Sequence, residues 1–72
     1  MKVGDLVRYT KEHSSQPGYD YCATWTGLLF RHPDDPVWCY RIYWTTPHGT
    51  HVGDRIDPPF PPLGLEVISE SR

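Results

Sequence analysis

The 72-residue chain predicts a small all-β domain in which five short strands curl into a barrel, with a long loop after the first strand. Three observations carry this expectation. Eight prolines and six glycines interrupt the chain too often for long helices, since each interior proline costs a helix about 3 kcal/mol. Apolar and polar residues alternate over short runs, the period of a half-buried strand. Strands of this kind with no helix to cover them cannot bury an apolar face as a flat sheet, whereas curling serves both the core and the edges.

The first strand lies in Lys2-Val3-Gly4-Asp5-Leu6-Val7-Arg8-Tyr9, where a Gly-Asp turn signal precedes an alternation that puts Val7 and Tyr9 on one face. Residues 10–25 show no sustained period and contain a Pro17-Gly18 turn, so they form the long loop. Residues 26–31 follow as a strand with Leu28 and Phe30 on one face and Leu29 on the other. A turn at His32-Pro33-Asp34-Asp35-Pro36 leads into residues 37–44, the run richest in aromatic and β-branched residues, and the two strands make a hairpin. Residues 50–56 form a short strand weakened by Gly53. Asp57-Pro58-Pro59-Phe60-Pro61-Pro62 cannot enter a sheet interior, because proline donates no ladder hydrogen bond; a single helical turn is expected near residues 61–64. Residues 65–68 make the last strand and residues 69–72 a frayed tail. These faces predict a core of Leu6, Val7, Leu28, Phe30, Ile42, Trp44, Leu65 and Val67.

A chain of this length makes one domain, residues 1–72, and buries only about 60% of its unfolded surface. With 38% hydrophobic and 22% charged residues it has enough apolar content to fold and too little net charge to stay disordered. A formal charge of −2 and a pI near 6.0 argue against strong, sequence-independent attraction to phosphates. No apolar run approaches the roughly 20 residues of a membrane span and no secretory opening is visible, which reads as a soluble intracellular protein. Cys22 and Cys39 lie far from a C-x-x-C spacing and read as reduced, partly buried thiols.

Four segments carry a resemblance: the start Met1-Lys2-Val3-Gly4-Asp5-Leu6-Val7-Arg8-Tyr9, the step Thr26-Gly27-Leu28-Leu29, the run Tyr40-Arg41-Ile42-Tyr43-Trp44 and the end Leu65-Glu66-Val67-Ile68-Ser69-Glu70-Ser71-Arg72. Together they resemble the short, mostly uncharacterised proteins of marine tailed bacteriophages, which are similar to KOW and SH3-like barrels. The resemblance implies an SH3-like fold and a phage origin, hence a place in the host cytoplasm or on the virion. The loop of residues 10–25 and the proline-rich stretch depart from that pattern, and a fold of this class hosts many unrelated tasks.

Enzymatic signatures are missing from the sequence. It has no Gly-rich phosphate loop, no Gly-x-Ser-x-Gly elbow and no paired-carboxylate motif, and Asp34-Asp35 sits among turn prolines. No cofactor is expected. A zinc site would need Cys22, Cys39, His48 and His51 to converge, and Cys39 in mid-strand is more simply a sheet residue. Gly18-Tyr19-Asp20-Tyr21-Cys22-Ala23 resembles the tyrosine signature of proline-binding SH3 domains over a short stretch only. The sequence therefore points to a non-enzymatic, protein-binding module with Tyr19, Tyr21, Trp25 and Phe60 as contact residues, the plainer alternative being that all four complete a small core. KOW-like nucleic-acid binding is the alternative function, with Tyr43 and Trp44 beside Arg41 as a stacking platform.

Overall fold

The computed structural model describes residues 1–70, so Ser71 and Arg72, part of the expected tail, lie outside the described residues. Five strands form one antiparallel sheet: β1 Leu6–Tyr9, β2 Thr26–Phe30, β3 Tyr40–Thr46, β4 Gly49–Ile56 and β5 Leu65–Ser69. Their order is β4-β3-β2-β1-β5. The all-β class is as expected. The described strands make an open sheet with β4 and β5 at its edges, not a closed ring.

Helix enters where the sequence suggested none. A one-turn helix, α1, spans Lys11–Ser14, and a 3₁₀ turn spans Asp20–Cys22, both inside the long connection between β1 and β2. Thr10 caps α1, its Oγ1 accepting from the His13 amide at 3.2 Å. The helical turn expected at residues 61–64 is instead an irregular turn ending at Gly64, whose φ is +90°.

Strand pairing fixes which face is buried. Gly27 and Leu29 stand opposite Trp44 and Ile42, so β2 turns these residues inward and Leu28 outward. The core is Val7, Leu29, Tyr40, Ile42, Trp44 and Leu65. Expectation and structure agree on Val7, Ile42, Trp44 and Leu65. They differ on Leu28, which is 41% exposed, and on Leu6 and Phe30, which are half-buried on the outer face. Val67 packs against the core from its rim. The reason lies in Gly27: a Cβ there would collide with Ile42 Cγ2 and come within 3.1 Å of the Trp44 ring, so this backbone lies against the core and its neighbours alternate accordingly.

β3 begins three residues later than the sequence suggested, because residues 37–39 belong to the turn; Val37 and Trp38 are exposed and Arg55 lies over the Trp38 ring. Asp35, in that turn, accepts two hydrogen bonds from the Arg41 guanidinium at 2.5 and 3.0 Å, which ties the connection to β3. Gly53 has the opposite effect from the one expected. A Cβ there would stand 2.8 Å from Trp44 Nε1, so glycine lets the indole lie across β4, the longest strand.

Candidate functional site

Ring contacts gather on one side of the sheet, where the β1–β2 connection folds back. Tyr9, at the end of β1, stacks on Trp44 with centroids 4.8 Å apart and on His13 of α1 at 4.6 Å. His13 in turn meets Tyr19 at 4.9 Å. Trp25, just before β2, lies 5.8 Å from Trp44, 5.4 Å from Tyr21 and 5.3 Å from His51. The connection is thus pinned ring by ring to the sheet at separations that favour aromatic pairs.

Backbone bonds complete the anchorage. The Thr10 amide donates to the Gly64 carbonyl at 2.8 Å, and Gly64 leaves room for the His13 ring, whose Nδ1 would lie 3.0 Å from a Cβ at that position. The Tyr19 amide donates to Gln16 and the Trp25 amide to Cys22. The Cys22 thiol is buried and donates to the Tyr19 carbonyl, and burial pushes its pKa up. The Tyr9 hydroxyl is also raised, first by burial and then by the nearby Cys22, Tyr21 and Asp54.

Of the four residues singled out by sequence, three come together. Tyr19 and Tyr21 are 43% and 61% exposed, and Trp25 is half-buried beneath Tyr21. Phe60 stands apart: its ring meets the edge of Tyr40 at 5.1 Å and packs against the core. Tyr9, His13 and His51 join the cluster, although sequence reasoning places Tyr9 only on a strand face with Val7 and His51 only in a zinc set. The Thr10 cap was the available signal for His13, since Thr followed by charged and polar residues marks a helix start.

Beside the rings is an open recess of about 290 Å³ lined by Arg8, Tyr9, Lys11, Ser14, Ala23 and Glu66. The Arg8 Nε donates to Glu66 at 2.6 Å across the β1 and β5 pair. On the outer face of the sheet, Leu28, Tyr43 and Val52 form an exposed apolar row in cross-strand register. Thr26, Thr45 and Thr50 run beside it, so this face is mixed. Among the described residues no three or more His, Cys, Asp or Glu side chains converge to hold a metal, and no helix is long and apolar enough to cross a membrane. Comparison with known protein families, curated proteins and solved structures gives no match for the chain.

Proposed function

We propose that the chain is a small, non-enzymatic module that binds a protein partner through the aromatic side chains of its β1–β2 connection. One combination carries the reading: Tyr19 and Tyr21 keep 43% and 61% of their surface in solvent, while the segment that bears them is held by a helix cap, short turns and tilted or edge-on ring contacts to His13 and Trp25. Rigid aromatic groups offered in this way provide contact area with little ordering cost on binding.

The finer assignments are proposals of the same kind. An SH3-like barrel is supported by the adjacency of the first and last strands and by the long connection after β1. A phage accessory or virion-associated role rests on the resemblance of the chain ends and the β2 and β3 segments. Affinity capture from phage-infected cells tests the binding reading. The wild-type chain is expected to retain a protein that a Tyr19→Ala, Tyr21→Ala double variant loses; equal recovery by both overturns it.

KOW-like nucleic-acid binding has one observation in its favour, that the cations Arg8 and Lys11 line one recess together with Tyr9. The net charge of −2 weighs against it, because few phosphate contacts are available to release counterions. Duplex DNA binding at physiological salt is expected to be weak or absent in a filter or anisotropy assay.

A further inference from the structure

The recess beside the aromatic cluster has a specific set of free donors. Glu66 takes up only the Nε edge of Arg8, and among the described residues no acceptor engages the two terminal nitrogens of that guanidinium. Lys11 has no anionic partner among the described residues. Ser14 adds no donor, because its hydroxyl is committed to the carbonyl oxygens of Thr10 and Lys11. Two cations and one carboxylate leave the recess with a single positive charge, and Glu66 holds Arg8 with its end-on pair of nitrogens available.

We propose that this recess is a carboxylate subsite, taking an Asp or Glu side chain from an extended segment of the partner whose neighbouring apolar residue lies against Tyr21 and Trp25. The inference rests on the reading of the β1–β2 connection as the contact surface and names the chemistry of what it binds. Size supports a side chain: about 290 Å³ falls just under the roughly 300–1,000 Å³ of small-molecule pockets and holds a carboxylate with its short stem. Charge supports a monoanion, since a phosphate would bring a second negative charge toward Glu66. Continuity supports a peptide. Ala23 lines the recess, and Tyr21 and Trp25 each stand two residues from it in the chain, within about 7 Å of backbone reach.

The test is nitrogen-15 NMR of the whole chain titrated with three small probes: N-acetyl-glutamate amide, N-acetyl-glutamine amide and N-acetyl-tryptophan amide. The glutamate probe is expected to move the Arg8, Lys11 and Ala23 resonances at millimolar concentration, the glutamine probe to leave them in place, and Lys11→Gln to weaken the glutamate effect by about three-fold or more, as an exposed charge contact allows. Raised salt should weaken it as well. Equal shifts from glutamate and glutamine overturn the subsite, and so does an absence of any shift with glutamate. The tryptophan probe separates this failure from that of the parent reading: shifts at Tyr21 and Trp25 alone leave the contact surface standing without its acid subsite, whereas silence there removes both. Oligothymidylate is titrated in parallel, and shifts of Arg8 and Lys11 at lower concentration than glutamate requires overturn the proposal in favour of single-stranded nucleic acid.

Discussion

Truncation of Leu29 and of Leu28 to alanine should have very different costs, although the two are neighbours with the same side chain. Leu29 is 1% exposed, stands opposite Ile42 and belongs to the cluster formed with Val7, Tyr40, Trp44 and Leu65. Removing its branched end leaves a cavity among side chains that cannot all relax, which costs about 2–5 kcal/mol. A chain of this size has roughly 4–11 kcal/mol in total, so Leu29→Ala takes a large share of it. At about 4–8 °C per kcal/mol, even the lower figure lowers the melting temperature by roughly 8–16 °C. Leu28 is 41% exposed on the outer face, where truncation opens no cavity and costs about 1 kcal/mol or less. Paired thermal melts by circular dichroism or calorimetry check this directly. If the two variants melt together, or Leu28→Ala is the more damaging, the assignment of faces to β2 is wrong, and with it the register that places Gly27 under Trp44.

Three further outcomes follow from the same geometry. Gly27→Ala should destabilise by about 1–3 kcal/mol through overpacking against Ile42 and Trp44, read as a lowered denaturation midpoint at unchanged slope. Asp35, held below the ordinary carboxylate range chiefly by its hydrogen bond from Arg41, contributes stability that is present above its unfolded pKa near 4 and lost as pH falls through the lower folded value; Asp35→Asn should therefore flatten the acid side of the melting-temperature profile below about pH 4, and an unchanged profile would show that the pair contributes nothing there. Trp25→Ala, which removes a half-buried ring from contact with Trp44 and His51, should cost about 2 kcal/mol by denaturant titration, whereas Tyr21→Ala should stay within about 1 kcal/mol of the parent.

The all-β class and the approximate place of every strand were legible because proline, glycine and period-2 alternation act locally. The face of β2 was not. Leu28, Leu29 and Phe30 form a continuous apolar run with no period of its own, and only the partner strand decides which of them turns inward. Gly53 misled for a similar reason: as a local signal it weakens a strand, and its use became visible only with the Trp44 indole against it. Residues 10–25 looked structureless because a one-turn helix and a 3₁₀ turn are too short to show a period, yet Thr10 marked the first of them. In the candidate site, Tyr19, Tyr21 and Trp25 were legible as large aromatics in a loop. Phe60 carried the same signal and lies apart from the other three, half-buried against the core with its ring at Tyr40. The convergence of Tyr9, His13 and His51 could not be read, since it comes from strand pairing and from the packing of α1 against Gly64.

The most direct test of the binding account is the dissociation constant of the captured partner, measured by calorimetry for the wild type, Tyr21→Ala and Val52→Ala. Val52 is 52% exposed in the apolar row on the outer face and reports on the competing surface. Tyr21→Ala is expected to weaken binding by about 30-fold, the effect of losing a 2 kcal/mol hot spot, with its melting temperature retained and Val52→Ala without effect. Full affinity in Tyr21→Ala together with loss of binding in Val52→Ala would move the contact surface to the outer face of the sheet and contradict the account.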